Sequence, residues 1–168
     1  MRARLGAEGF HTATVSPQYA LASLLPMVRA AGMGVTLRMS GDHPRYTTRS
    51  GDFDLEAWRR VMRTWEAAAP ELAPYILDGT LRGHMLLDDI HNFEGEDPTG
   101  AELDEMARHS KAILPGLMTF VRERATDMPV PPGGRYRHVD ACVNQYKSRH
   151  GDVAAFAAAE SARARALD

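Results

Sequence analysis

Asp78-Gly79-Thr80-Leu81-Arg82-Gly83-His84-Met85-Leu86-Leu87-Asp88-Asp89 is the stretch on which the reading of the chain turns. An Asp-Gly pair marks a tight turn. A short apolar strand follows and ends abruptly in two adjacent carboxylates. In α/β sheets, ligands sit beyond the carboxyl ends of the strands. An acidic pair placed there is a site candidate as well as surface charge.

Outward from this strand, helical and strand patterns alternate. Ser16-Pro17 starts a helix, as an N-cap with proline at the first position, and Leu21, Leu24, Leu25 and Val28 continue it at helical spacing. Gly32 and Gly34 end it, and a strand is predicted over Val35–Met39. Asp54 caps the next helix, with Leu55, Trp58, Val61, Met62 and Trp65 on one stripe; Pro70 and Pro74 break it, leaving a short turn or helix over Leu72–Leu77. Both tryptophans belong to the helix–sheet core by this spacing. Thr99-Gly100-Ala101-Glu102 is a capping box opening a helix that stops at Pro115. Strands are predicted over Leu117–Val121 and His138–Val143, and Asp152 caps a final alanine-rich helix. Helices alternating with short strands imply a parallel sheet with right-handed crossovers.

Two of the strands alternate in polarity. Val35, Leu37 and Met39 alternate with Thr36, Arg38 and Ser40; Val139, Ala141 and Val143 alternate with His138, Asp140, Cys142 and Asn144. The apolar sets are expected to face the helices and the polar sets to share the other face. That face would gather Arg38, Asp88, Arg122, Asp140 and Asn144. Adjacent Asp88 and Asp89 point to opposite sides of a regular strand, so only one of them is expected in a shared pocket.

Composition bounds the answer. The chain has 168 residues, a net charge of −2, 44% hydrophobic and 25% charged residues, so it is read as a single domain over residues 1–168. Its mixed charges lack the clustered basic excess of a nucleic-acid binder. One cysteine, Cys142, excludes an internal disulfide and a cysteine-based zinc cluster. The start of the chain lacks the apolar core of a signal peptide, and no apolar run of about 18 residues exists to span a membrane. The expected location is cytoplasmic for the sequence as it stands, or secreted or periplasmic if an N-terminal segment is missing. No cofactor is expected.

Four pieces together resemble bacterial glycoside-hydrolase-like (β/α)8 barrels: Phe53–Trp58, Asp78–Asp89, Met106–Lys111 leading into Pro115–Arg122, and Tyr136–Tyr146 with its Val139-Asp140-Ala141. The similarity runs in order over about residues 15–165 and is one of layout. It implies a TIM-type barrel and a carbohydrate ligand. A closed barrel needs eight strands and about 250 residues, whereas about four strands are predicted here. The expectation is therefore a partial (β/α) barrel, a fragment whose first strand lies before Met1 and whose last three follow Asp168. A half-barrel completed by a partner, with self-association through exposed sheet edges, and a small complete α/β parallel-sheet sandwich are the alternatives.

Glycoside hydrolysis needs two carboxyl groups, about 5–5.5 Å apart for a retaining route and about 6.5–9.5 Å for an inverting one. Asp88 or Asp89 supplies one, and Glu123, Asp140 or Glu94 the second. Arg38, His91, Arg122, Asn144 and Tyr146 are the substrate-binding candidates. A catalytically silent fragment or carbohydrate-binding scaffold, with Tyr46, Phe93, Tyr136 or Tyr146 stacking on sugar rings, is one alternative. A metal-dependent hydrolase using Asp88, Asp89 and His91 with His84 or His138 is another, although no metal-ligand spacing motif is present.

Overall fold

The computed structural model describes residues 10–11, 15–144 and 146–168. The first nine residues, which carry most of the argument against a leader, lie outside them. Five parallel strands form one sheet in the order of the chain: β1 (Phe10–His11), β2 (Val35–Leu37), β3 (Leu81–Asp88), β4 (Met118–Arg122) and β5 (Ala141–Cys142). The expected count was about four, with the first strand before Met1. β1 adds a fifth among the described residues, and its two residues are too few to display an alternation.

The connections are helical. α1 comprises Pro17–Tyr19, a π-helical turn Ala20–Leu24 and Leu25–Ala30; α2 is Leu55–Arg63, α3 Ala69–Leu77, α4 Gly100–Ile113 and α5 Val153–Leu167. α3 forms despite its prolines. Pro70 sits in the first turn, where its missing N–H is no loss, and Pro74 forfeits only a bond to that exposed turn. The Thr99 capping box is complete: its Oγ1 accepts from the Glu102 amide at 3.3 Å, and the Glu102 carboxylate accepts from the Thr99 amide at 2.8 Å.

Sequential strand order with crossovers of one hand stacks the helices on one face of the sheet. The core fills that interface, with Val35, Leu37, Leu86, Leu87 and Val121 meeting Leu25, Trp58, Met62, Leu72 and Met106. Met85 and Phe120 are also buried but stand outside this core, with Gly83 beside them, where an added Cβ would lie 3.3 Å from Phe120. Among the described residues, no helix is long and apolar enough to cross a membrane.

One irregularity in β3 decides where its end points. His84 faces the helices: its Nδ1 lies 2.8 Å from Ser110 Oγ of α4 and its ring stacks on Trp58. Strict alternation would carry Leu86 and then Asp88 to the same side. The register breaks that alternation. Met85 pairs with Phe120, Leu87 with Val121 and Asp88 with Arg122, so Leu86 is an extra residue. Leu86 and Leu87 both enter the helix-facing core, and Asp88 emerges beside Arg122. Beyond the last β2–β3 pair, Leu37 with His84, the Leu86 carbonyl accepts from Ser40 Oγ (3.0 Å) and Trp58 Nε1 (3.3 Å). The Trp65 indole donates to the Met39 carbonyl at 2.9 Å. Both tryptophans are thus core residues, as their spacing predicts.

Val139, ahead of β5, packs against the core as expected, but within β5 the phase is inverted. Cys142 pairs with Val121 and packs against the core, while Ala141 pairs with Phe120 on the other face. Asp140 turns toward the helix layer as well. Its carboxylate accepts from Lys111 Nζ of α4 and the Thr119 amide, each at 2.7 Å, and from Thr119 Oγ1 at 3.0 Å. Donors on neighbouring elements decide where these polar residues face, and strand polarity alone cannot register them.

Ser40→Ala and Trp58→Phe should each cost about 1 kcal/mol or more in urea unfolding, because each removes a buried donor to the same carbonyl. The double variant removes both side-chain donors and is expected to lose more than the two single losses together. Strict additivity would show that the carbonyl does not couple them.

Candidate functional site

A cavity of about 470 Å³ opens beyond the carboxyl ends of β3, β4 and β5. Asp88, Asp89 and His91 line it from the end of β3, and Arg122, Glu123, Arg124 and Asp127 from the end of β4. Val143, Lys147, Arg149 and His150 complete it from the segment after β5. Every lining residue except Val143 is ionisable.

Asp88 is the hub of the charged network. Its carboxylate accepts from Arg38 Nη1 at 3.2 Å and pairs with Arg122. Arg38, largely buried, also pairs with Asp42. Asp88 is only 17% exposed, so it is a neutralised, positioning carboxylate between two guanidiniums. Asp89 differs. Its backbone enters the left-handed region (φ 64°), which an aspartate tolerates better than most residues, and its amide donates to the Arg122 carbonyl at 3.0 Å. This turn breaks the strand's alternation at its last step. Both aspartates therefore line one cavity, contrary to the expectation that only one would.

Glu123 follows Arg122 at the end of β4 and is half-buried. Burial raises its pKa above the ordinary glutamate value; the Arg124 amide, donating to Oε1 at 2.8 Å, opposes this, and the Asp89 charge reinforces it. His91 pairs with Asp97 at 2.8 Å, which raises the imidazole pKa.

The rim is braced by loop-to-loop contacts. The loops after β2 and β3 join through Phe53 N to the Glu96 carbonyl (2.9 Å), Gly95 N to the Gly51 carbonyl (3.1 Å), and Asp52 Oδ1 accepting from Glu96 N (2.8 Å). Gly51 is required there: its φ is +94°, and an added Cβ would lie 2.9 Å from Glu94. His43, Tyr46, Phe53 and Phe93 form a ring cluster with centroids 5.1–6.3 Å apart, edge-to-face except for the tilted Tyr46–Phe93 pair.

Of the residues expected to form the site, Asp88, Asp89, Glu123, His91 and Arg122 meet at the cavity, and Arg38 supports it through Asp88. The structure does not bring in Asp140, which is tied to Lys111 and Thr119. Asn144 instead clamps the loop after β4, its Oδ1 accepting from the Ala125 amide at 2.9 Å. Tyr146 donates to the Gly151 carbonyl at 2.6 Å and packs on Phe156. Glu94 is in the rim and outside the cavity lining. Tyr46 and Tyr136 are buried, their hydroxyls donating to the carbonyls of Gly41 and Pro129. Among the described residues, no three His, Cys, Asp or Glu side chains come together as a metal-binding group, and His84 is enclosed in the core.

Arg124, Asp127, Lys147, Arg149 and His150 in the cavity lining, and His43 near the aspartates, escape the sequence reading. Lys147 and Arg149 lie in a polar stretch with no periodicity. His43 is half-buried near both aspartates, with Nε2 lacking a partner; burial and the Arg38 charge lower its pKa against the opposing pull of Asp88 and Asp89. A His-Pro pair in a loop carries no periodic signal that would mark it.

The chain matches no protein-family model, and no curated protein shows significant similarity to it.

Asp88→Asn should lower stability by about 1–3 kcal/mol, since it leaves the largely buried Arg38 poorly compensated. Asp89→Asn, at an exposed position, is expected to stay within about 0.5 kcal/mol of the parent. Chemical denaturation of the two variants separates the positioning carboxylate from the free one.

Proposed function

We propose that this chain is a carbohydrate-active protein of the glycoside-hydrolase-like (β/α)-barrel type, and that its cavity hydrolyses a glycosidic bond. The observation that carries this reading is the pairing of Glu123 with Asp89 at the strand ends. Glu123 is a half-buried carboxyl with a raised pKa, and the Asp89 charge contributes to that rise. Two carboxyl groups with unlike environments in one polar cleft are what acid-and-base glycosidic chemistry requires. The sequential order of five parallel strands, with the cavity at their carboxyl ends, supports the barrel type.

In this mechanism Glu123 holds its proton to higher pH than a free glutamate. It donates that proton to the leaving-group oxygen as the C–O bond breaks. Asp89 serves as the second carboxylate, attacking the anomeric carbon or taking a proton from the incoming water. Arg122, anchored by Asp88, holds positive charge beside both. Asp88 acts through this anchoring and not as an attacking group.

Glu123→Gln and Asp89→Asn should each reduce hydrolysis of a responsive aryl glycoside or oligosaccharide about a hundredfold or more, with the fold preserved by circular dichroism. Saccharide binding without turnover in the parent would favour a silent binding module instead. In NMR titration, Asp89→Asn is expected to move the Glu123 midpoint downward, because a charge that raises it has been removed. Activity should fall as pH rises through the Glu123 midpoint, since the acid form is then lost. An unmoved midpoint in the variant would detach Asp89 from Glu123.

A further inference from the structure

One wall of the cavity takes no part in bond cleavage. Lys147, Arg149 and His150 come from the segment between β5 and α5, apart from the carboxyl groups at the ends of β3 and β4. The other cations around the site are already neutralised. Arg122 pairs with Asp88, Arg124 Nε donates to Asp127 at 2.6 Å, and Arg38 pairs with Asp88 and Asp42. Among the described residues, Lys147 and Arg149 have no carboxylate partner.

These two cations sit on a built turn. Ser148–His150 forms a 3-10 turn ended by Gly151, whose carbonyl accepts from the Tyr146 hydroxyl at 2.6 Å. The His150 ring stacks on Phe156 of α5 at 5.1 Å, and Tyr146 packs edge-on against Phe156 at 5.4 Å. Glu160, buried on the same helix, accepts from Thr126 Oγ1 at 2.7 Å and ties α5 to the loop after β4. The His150 pKa is lowered, first by desolvation and then by the charges of Arg124, Arg149 and Lys147, against the opposing charge of Glu160. Neighbouring like charges repel one another, and an anion bound between them relieves that repulsion.

We propose that Lys147 and Arg149 hold the anionic substituent of an acidic saccharide, a carboxylate or a sulfate ester, so that the cavity selects uronate-type or sulfated chains over neutral ones. The proposal rests on reading the cavity as a saccharide site. It also accounts for the division of charge along the cavity wall. The carboxyl pair addresses the glycosidic bond, and the cation pair addresses a substituent elsewhere on the sugar. Arginine suits this task because its fork engages two oxygens at once.

The test is calorimetric titration of the full chain carrying Glu123→Gln, which suppresses turnover. The probes are a glucuronic-acid oligosaccharide, a sulfated oligosaccharide, a neutral glucose oligosaccharide and sodium sulfate alone. An acidic chain should bind about tenfold or more tighter than the neutral one at low salt. Adding Lys147→Met and Arg149→Met should abolish that preference and leave neutral binding unchanged. The sulfated and uronate arms distinguish the two anions. Equal binding of acidic and neutral saccharides overturns the proposal while the saccharide reading survives. A preference that persists in the Lys147→Met, Arg149→Met background overturns the assignment to these residues. If only sodium sulfate binds, in a manner dependent on the two cations, the anion site stands and the saccharide reading falls. If nothing binds, both fall.

Discussion

The bulge at Leu86 is the constraint from which the geometry of the site follows. One extra residue in β3 sends Leu86 and Leu87 together into the helix-facing core and delivers Asp88 to the side of Arg122. The bulge persists because the Leu86 carbonyl is bonded by Ser40 from the end of β2 and by Trp58 from α2. Three segments distant in sequence thus agree on one irregular backbone position. A regular strand here would bury Asp88 against the helices, at the desolvation cost of an unpaired carboxylate. The bulge exchanges that arrangement for an ion-pair network with Arg38 and Arg122.

From that point the network spreads outward. Asp88, held between two guanidiniums, fixes Arg122, and the Asp89 amide bonds the Arg122 carbonyl. Asp89, turned by its left-handed backbone, is left exposed at the cavity beside Glu123. Adjacent acidic residues thereby acquire unlike roles, one consumed in positioning and one free. The rim loops after β2 and β3 are cross-bonded and joined through an aromatic cluster, so the cavity is carried by braced loops on a regular sheet. Such division between rigid scaffold and functional loop is common in α/β proteins.

Several features were legible from residue pattern. The helix of α4 was announced by its capping box, α2 by its apolar stripe, and the core position of both tryptophans by helical spacing. The acidic end of β3 and Glu123 at the end of β4 were also visible as site candidates. The misses share a cause. β1 is too short to alternate, and the facing of Asp140 and Cys142 depends on Lys111, Thr119 and Val121, which neighbour them only in space. Tyr46 and Phe93 looked like sugar platforms, but their rings are occupied with each other and with His43.

By itself, the sequence determined the alternation of helices with parallel strands and the carboxylates at the end of β3. Both are local: capping chemistry, periodicity and turn residues act within a few positions of one another. Tertiary structure alone decided that Asp88 and Asp89 share a cavity, that Asp88 is neutralised while Asp89 is free, and that Lys147 and Arg149 line that cavity without a carboxylate partner. A one-residue bulge and one left-handed residue reverse side-chain direction without leaving a sequence signature. Both are set by hydrogen bonds from other segments, which exist only once the sheet and its helices have packed.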